Sequence, residues 1–244
     1  MILSIIIIGF IAQMIDGALG MAYGVISTTV LLSVGIPPVA ASASVHTAGI
    51  FTTFVSGISH VRFRNIDKKL FKRLLVPGII GGALGAYILT TVSGKAFKPF
   101  ISLYLFIMGL IILQRAFKKN KEKEVETKIL PLGLIGGFFD AIGGGGWGPI
   151  VTSTVIARGH NPRLTVGSVN LAEFFVTVVE AATFFTLIGL SHWKIIISLI
   201  IGGVLAAPLA AYTCKKLPIR VLMIIVGILI IMLNIRILCL NFLL

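Results

Sequence analysis

The sequence predicts an all-α polytopic membrane protein built from two inverted-topology repeats, and three observations lead to this fold class. The chain of 244 residues is 57% hydrophobic and only 12% charged, about half the charged fraction of a typical soluble domain. Apolar runs of roughly 20 residues, the length that crosses a bilayer as a helix, recur along it. The other two observations are an internal repeat and an uneven distribution of basic residues among the loops.

The internal repeat is found when the sequence is shifted by 124 residues against itself. Asp16 then falls on Asp140 and Gly20 on Gly144, and most of the matching residues are Gly, Pro, Asp, Ser or Thr. Chance matches between apolar sequences would favour Ile, Leu and Val instead. We therefore predict a first membrane repeat, a polar linker and a second membrane repeat, at residues 1–117, 118–128 and 129–244.

Each repeat begins with an apolar stretch that glycines interrupt, at 2–34 and at 130–158. One continuous helix of 33 residues would be about 50 Å long, well beyond the roughly 30 Å hydrocarbon core. We therefore predict a hairpin of two half-helices of about 13–15 residues each, either re-entrant or nearly spanning twice. Three uninterrupted helices follow in each repeat, at about 39–60, 74–93 and 99–117 and at about 163–188, 193–213 and 219–240.

The basic residues indicate the number of crossings, because cytoplasmic loops of membrane proteins carry an excess of Lys and Arg. A hairpin plus three helices crosses the bilayer an odd number of times and places 17 of the 21 Lys and Arg residues on one side. A single span in place of the hairpin would place 14 there. The pattern favours inverted repeats, as in many secondary transporters. It predicts a multi-pass protein of the cell (inner) membrane, with both termini outside and the linker 118–128 in the cytoplasm.

Composition and motifs argue against several other functions. The net charge of +13 is explained by the basic loops, so we predict no nucleic-acid partner. Cys214 and Cys239 lack metal-ligand spacing. The signatures G-x-x-x-x-G-K-S/T, H-E-x-x-H and G-x-S-x-G are all missing from the sequence, which argues against ATP hydrolysis and common hydrolytic chemistry. We therefore predict that the chain is not an enzyme and needs neither a cofactor nor a metal.

The two glycine breaks form the predicted substrate site. A half-helix is expected to begin after each break, near Met21 and near Trp147. Its first turn presents unpaired N–H groups and positive dipole charge, and glycine lets an anion approach the backbone. Two tips that enter from opposite faces would build a small anion site near the midplane. Close helix packing is the alternative explanation for the glycines.

Four acidic residues fall within apolar segments, where carboxylates normally face a bundle interior. Asp16 and Asp140 precede the breaks, and we expect them to cap broken backbone rather than to carry a proton. Glu173 and Glu180 share one helix face with two other polar residues, because the four are spaced 3, 4 and 3 apart. The full face comprises Asn170, Glu173, Thr177 and Glu180, and its repeat equivalent comprises His46, Gly49, Thr53 and Ser56.

This face favours an interior cavity, and its acids occur in only one repeat. Proton carriage by Glu173 or Glu180 is one interpretation, and an interhelical hydrogen-bond network is the alternative. His46 is also able to titrate near neutral pH, but a lone histidine gives no evidence for a metal site. The predicted substrate-binding residues are Gly17, Gly20, Gly24, Thr28, His46, Gly143, Gly144, Gly145, Gly146, Trp147, Gly148, Thr152 and Asn170. The predicted coupling or structural acids are Asp16, Asp140, Glu173 and Glu180.

The second glycine break also carries a family resemblance. The segment GLIGGFFDAIGGGGWGPI, at 133–150, contains G-x-x-x-G-x-x-D and then a glycine cluster that ends in proline. It resembles the sulfite exporter TauE/SafE family of membrane permeases. The first copy departs from the pattern, with Leu19, Met21 and Ala22 where the second copy has glycines. The resemblance implies transport of small sulfur-containing or organic anions, such as sulfite or sulfoacetate.

We therefore predict a secondary transporter, acting as an exporter, that binds a small anionic substrate within the lipid bilayer and is coupled, if at all, to protons. Two alternatives stay open at this stage. One is a cation or proton channel that uses the buried acids. The other is a membrane enzyme or a non-transport assembly factor. The sequence leaves the oligomeric state, the exact substrate and the coupling ion undetermined.

Overall fold

The computed structural model describes residues 2–91, 94–117, 128–213 and 219–243. Within these ranges all regular structure is helical, which confirms the all-α prediction. The first half contains α1 (Ile2–Leu19), α2 (Tyr23–Ser33), α3 (Pro38–Arg62), α4 (Lys68–Thr91) and α5 (Gly94–Phe117). The second half contains α6 (Ile129–Gly143), a π-helical turn (Gly148–Thr152), α7 (Ser153–Ala157), α8 (Pro162–Ile188), α9 (Trp193–Thr213) and α10 (Ile219–Leu243).

Six helices in the described ranges are long and apolar enough to cross a bilayer. This supports a multi-pass membrane protein. The six candidate spans are Ile2–Leu19, Pro38–Arg62, Lys68–Thr91, Pro99–Phe117, Pro162–Ile188 and Trp193–Tyr212. Shorter apolar helices are Tyr23–Ser33, Ile129–Gly143, Gly148–Ala157 and Gly227–Arg236.

Helix starts follow from local capping. α4 begins at Lys68, earlier than the predicted residue 74, because the Asp67 carboxylate accepts hydrogen bonds from the backbone N–H groups of Lys69 at 2.8 Å and Leu70 at 3.1 Å. A side-chain oxygen at this position satisfies N–H groups that have no partner within the helix. Sequence periodicity alone did not reveal this polar first turn.

Both glycine-interrupted stretches are broken where the sequence predicts. The first break separates α1 from α2, and the second separates α6 from the π-helical turn. α1 has 18 residues, longer than the expected half-helix, whereas α2 has 11 and α6 has 15. The hairpins therefore have unequal arms.

The helices pack in reciprocal pairs across the two halves of the chain. α1 lies against α9, and its repeat equivalent α6 lies against α4, the equivalent of α9. α3 packs on α8 and α9, while α8 packs on α3 and α4. α5 pairs with its own equivalent, α10. Exchanging the two halves thus leaves the main packing pattern unchanged.

Equivalent helices run in opposite directions where they meet. A side chain added at Gly49 of α3 would meet Thr177 of α8, and one added at Gly57 would meet Leu171. Residue numbers rise along α3 as they fall along α8, so the two helices are antiparallel. This direction is the one that inverted repeats require. The division into two repeats and the orientation in the bilayer stay predictions, and residues 118–127 of the predicted linker lie outside the described ranges.

Candidate functional site

The two breaks have the same backbone conformation at equivalent positions. Gly20, after the end of α1, has φ +68, and Gly144, after the end of α6, has φ +64. This left-handed region disfavours residues that carry a Cβ. In the first break Ala22 also has a positive φ of 147, which is strained for a non-glycine residue. The structure therefore accounts for glycine at both matched positions.

An aspartate side chain caps the helix that follows each break. Asp16 Oδ1 accepts a hydrogen bond from the Tyr23 N–H at 3.3 Å. Asp140 Oδ1 accepts two, from the Gly146 N–H at 2.6 Å and the Trp147 N–H at 2.9 Å. These are N–H groups that the sequence argument assigned to a substrate anion. In this conformation a carboxylate of the protein occupies them.

Two threonine hydroxyls link the breaks to each other. Thr28 Oγ1 donates to the Gly144 carbonyl at 2.6 Å, and Thr152 Oγ1 donates to the Gly20 carbonyl at 2.6 Å. Each threonine follows one break and satisfies a carbonyl group of the other. The breaks thus hold one another by a pair of equivalent hydrogen bonds.

The glycines of the breaks are in backbone contact across the same interface. A Cβ at Gly24 would lie 2.5 Å from the Gly145 Cα, and a Cβ at Gly148 would lie 2.5 Å from the Gly20 carbonyl oxygen. Gly143 and Gly146 leave space for the ring of Tyr104. Close packing therefore explains these glycines in the present conformation, and the two tips are closed against each other.

Beside the second break, His46 lies between two acids. Its Nε2 is 2.9 Å from Glu180 Oε2 and 3.6 Å from Asp140 Oδ2. Its Nδ1 is 2.8 Å from the Ser42 carbonyl oxygen and 3.2 Å from the Ser42 hydroxyl. That hydroxyl donates to the Ala141 carbonyl at 2.6 Å. The predicted polar face therefore forms a hydrogen-bonded and charged contact between α3, α6 and α8.

The repeat-equivalent positions beside the first break have neutral side chains. Asn170 stands at the position of His46, and Ser56 stands at the position of Glu180. The Ser56 hydroxyl donates to Asn170 Oδ1 at 2.8 Å, and Asn170 Nδ2 donates to the Val166 carbonyl at 3.1 Å. One break therefore adjoins a charged contact and the other a neutral one.

Several acidic oxygens in this region have no hydrogen-bond partner among the described residues. They include Asp16 Oδ2, Glu173 Oε2 and Glu180 Oε1. Glu173 is 8% exposed and Glu180 is fully buried. Among the side chains whose burial the structure describes, no Lys or Arg is buried. The interior therefore gathers four carboxyl groups without a buried basic residue other than histidine.

Trp147 and Gly17 lie at the edge of this region. Trp147 is fully buried and packs in an apolar cluster with Val151 and Val176, and its indole N–H donates to the Val169 carbonyl at 3.1 Å. Gly17 is packed against Ala210. The Gly17 carbonyl lies 2.9 Å from Nε2 of His60. The roles of all predicted residues in substrate binding stay predictions.

Ser42, His60 and Tyr104 were not predicted from the sequence, although each contacts a residue in or just before a break. Tyr104 donates its hydroxyl to the Gly145 carbonyl at 3.3 Å. Their partners lie 41 to 99 residues away in the chain. The repeat gave no signal for them, because it compares equivalent positions and does not predict which elements meet.

A cavity of about 690 Å³ lies away from the breaks, between the start of α1, the end of α2 and the start of α9. Its lining is mostly apolar and includes none of the predicted site residues. The residues around it are Ser4, Ile5, Ile8, Val30, Leu31, Val34, Ile36, Ser191, His192, Trp193, Lys194 and Ile195. It is therefore not assigned to an anionic substrate.

Comparisons with known proteins extend over nearly the whole chain. A family model described as "Sulfite exporter TauE/SafE" matches residues 5–237. "Probable membrane transporter protein YtnM" of Bacillus subtilis (strain 168) is 44% identical over 239 residues, which cover 94% of this chain and 80% of that protein. A "Probable membrane transporter protein" of Haemophilus influenzae is 24% identical over 209 residues, or 84% of this chain and 81% of that protein. No solved structure matches the chain significantly.

Proposed function

The chain belongs to the sulfite exporter TauE/SafE family of membrane transporters, and we propose that it is a secondary transporter that exports small sulfur-containing or organic anions, such as sulfite or sulfoacetate. The family description supports the substrate class, and the names of the two relatives support membrane transport. We propose no enzymatic activity for it.

The observation that carries the proposal is the reciprocal contact between the two helix breaks. The threonine hydrogen bonds, at 2.6 Å in both directions, join the tips of two hairpins from different halves. The N–H groups of Gly146 and Trp147 already bind an anionic oxygen, that of Asp140. Such a helix start is suited to a small oxyanion. We propose that the substrate binds between the tips in a conformation in which they separate.

The proposed substrate-binding residues are those of the two breaks and the polar positions beside them. Separation of the tips would free the Thr28 and Thr152 hydroxyls, which in the closed state donate to Gly144 and Gly20. Hydroxyl and backbone N–H donors bind an anion without a buried Lys or Arg. Asn170 lies next to the first break and offers an amide donor.

Proton coupling is assigned to Glu173 or Glu180. Both are buried in α8 and both have a carboxylate oxygen without a hydrogen-bond partner among the described residues. An intramembrane carboxyl group in this situation is a typical proton carrier. The alternative, a cation or proton channel, uses the same acids but predicts cation flux that does not depend on an anion.

Two inverted repeats, residues 1–117 and 129–244, provide the proposed means of alternating access. The antiparallel contact of α3 with α8 supports this arrangement. Rocking of one repeat against the other would open the tips first to one face of the membrane and then to the other. We place the protein in the cell (inner) membrane, with both termini outside and the linker 118–128 in the cytoplasm.

The test is a substrate panel in proteoliposomes that contain the full-length protein. Sulfite, thiosulfate, sulfoacetate and sulfate are supplied with and without a pH gradient. We expect flux of at least one sulfur oxyanion, and we expect Gly144→Leu to abolish both its binding and its flux. The Gly35→Leu variant is the matched control, because Gly35 also has a positive φ but has no neighbour within 4 Å of a Cβ. Cation flux without any anion flux, lost in Glu180→Gln, would instead support the channel.

A further inference from the structure

Three side chains from different helices meet at the centre of the molecule, and we call His46, Asp140 and Glu180 the His46 cluster. One ligand atom from each lies within 4.8 Å of the others. His46 belongs to α3, Asp140 to α6 and Glu180 to α8. All three are buried, with at most 4% of each residue exposed. The cluster thus joins both halves of the chain.

The hydrogen bonds of His46 fix the hydrogen on one nitrogen of its ring. Nδ1 is 2.8 Å from the Ser42 carbonyl oxygen, which can only accept a hydrogen bond. The Ser42 hydroxyl uses its hydrogen on the Ala141 carbonyl. Nδ1 must therefore carry the hydrogen. In the neutral ring Nε2 then presents a lone pair, and two carboxylate oxygens face it at 2.9 and 3.6 Å. Such an arrangement needs a positive species beside Nε2.

The arrangement matches a metal site in its supporting contacts and in one of its two distances. Ligands at about 2.0–2.2 Å from a tetrahedral ion lie roughly 3.3–3.6 Å apart, and His46 Nε2 lies 3.6 Å from Asp140 Oδ2. The 2.9 Å between Nε2 and Glu180 Oε2 is shorter, so the Glu180 carboxylate would have to move away by about 0.4 Å to admit an ion. A metal-binding histidine usually donates its other N–H to a carbonyl, and ligating carboxylates are themselves hydrogen-bonded. His46 donates its Nδ1–H to the Ser42 carbonyl. Asp140 Oδ1 accepts hydrogen bonds from two backbone N–H groups.

Glu180 provides a second, independent indication of a ligand. It is fully buried, and neither of its carboxylate oxygens has a hydrogen-bond partner among the described residues, although Oε2 faces His46 Nε2 at 2.9 Å. Gly82 of α4 leaves the space that this carboxylate occupies, because a Cβ there would lie 2.6 Å from Oε1. Burying an ionised carboxylate without compensation is costly. A divalent ion would neutralise both acids of the cluster while His46 stays uncharged.

We propose that the His46 cluster binds a first-row divalent transition-metal ion of the Zn²⁺ or Mn²⁺ type, with at least one coordination position open. One imidazole and two carboxylates suit such ions, whereas Mg²⁺ and Ca²⁺ prefer oxygen ligands in larger number. This inference opposes the prediction from sequence of no metal. It also deepens the proposed function, on which this step rests: the bound ion would supply positive charge for an anion beside the second break. With Glu180 as a metal ligand, which must be deprotonated, proton coupling would fall to Glu173.

The test begins with metal binding, which needs no transport assay. The full-length protein is purified in detergent, treated with a chelator, and titrated with Zn²⁺, Mn²⁺ or Co²⁺, with Mg²⁺ as the comparison. Bound metal is measured by elemental analysis, and Co²⁺ reports its ligands by visible absorption. We expect one ion per chain, with no comparable Mg²⁺ binding. If the wild-type protein binds none of the three ions stoichiometrically, the proposal is wrong and the cluster holds protons.

Variants identify the ligands. We expect His46→Gln and Glu180→Gln to lose stoichiometric binding, and Glu180→Asp to keep it with at least about tenfold lower affinity, since it alters the geometry of a ligand. The matched controls are Ser56→Ala, at the equivalent of Glu180, and His192→Gln, a histidine outside the cluster; both should bind as the wild type does. Thermal unfolding without metal checks that each variant is folded. Unchanged binding in folded His46→Gln protein would overturn the assignment.

Anion flux with and without metal separates this inference from the proposed function. Flux that requires Zn²⁺ or Mn²⁺ supports both. Metal binding without flux of any sulfur oxyanion retains the site and refutes the transport proposal. Flux from protein that binds no metal retains transport and refutes the site.

Discussion

Replacing a glycine in the second break tests whether close approach of the two tips, rather than backbone conformation alone, requires glycine there. Gly144 has φ +64, and a Cβ added to it would meet the Thr28 hydroxyl and lie 2.9 Å from Thr28 Cγ2. Gly35, which follows α2, has φ +91 and would meet nothing within 4 Å, and the N–H groups of Gly35 and Ile36 bond to the Leu32 and Leu31 carbonyls as in a left-handed helix cap. Both alanine variants pay for the left-handed backbone, roughly 1–2 kcal/mol. Only one of them has a steric conflict.

The additional cost at Gly144 follows from its neighbour. Thr28 must move, so its 2.6 Å hydrogen bond to the Gly144 carbonyl is lost, at about 1 kcal/mol. Forcing an extra methyl group into a packed contact lowers the stability by about a further 1–3 kcal/mol. We therefore expect Gly144→Ala to lower the free energy of unfolding by about 2–4 kcal/mol more than Gly35→Ala does.

Both variants are unfolded in the same detergent, with tryptophan fluorescence as the signal, and both are reconstituted for anion flux. Gly35→Ala should retain wild-type flux, and Gly144→Ala should lose it. Equal destabilisation of the two variants would show that positive φ alone explains the glycine. The tips would then not be in the close contact described.

Two further predictions concern single hydrogen bonds, and a third concerns the orientation in the membrane. Thr152→Val removes the hydroxyl that satisfies the buried Gly20 carbonyl. Chemical unfolding should therefore show a free energy of unfolding that is lower by about 1–3 kcal/mol, and an unchanged midpoint would contradict the contact. Trp147→Phe removes the N–H donated to the Val169 carbonyl and part of a buried ring. Thermal unfolding should therefore show a free energy of unfolding that is lower by about 1–3 kcal/mol, and wild-type stability would contradict this hydrogen bond. Lys123→Cys should react with an impermeant thiol reagent only from the cytoplasmic side, and labelling of intact cells from outside would reverse the proposed orientation.

Much of the fold could be predicted from the sequence because helices in a bilayer are determined by composition and length. Gly20 and Gly144 could be recognised as break positions because an internal repeat marks them twice. The start of α4 could not be placed correctly, since Asp67 extends this helix by a local hydrogen bond that hydropathy does not register. The lengths of the hairpin arms likewise depend on capping and packing.

The site could be predicted only in part, because spacing within one helix says nothing about the element opposite. The face that contains Glu173 and Glu180 was recognised from its spacing. Its contact with His46, at 2.9 Å, joins residues 134 positions apart and belongs to the meeting of α3 with α8. The sequence analysis therefore treated His46 as a lone histidine. Asp140 was expected to cap backbone, and the geometry adds that its second oxygen lies 3.6 Å from that histidine.

The two halves share a scaffold but differ in charge. The hydrogen bonds between the breaks have the same length in both directions, 2.6 Å, so the contacts that close the tips are nearly equivalent. Beside them, His46 and Glu180 in one position correspond to Asn170 and Ser56 in the other. If the halves exchange conformations during transport, the shared contacts contribute similarly to both states. The energy difference between the two states then depends on what is bound beside His46 and Glu180. A ligand shifts the equilibrium between two states only if it binds one of them more tightly than the other. The asymmetric cluster is therefore the place where a bound ion can favour one of the two states of an otherwise symmetric scaffold.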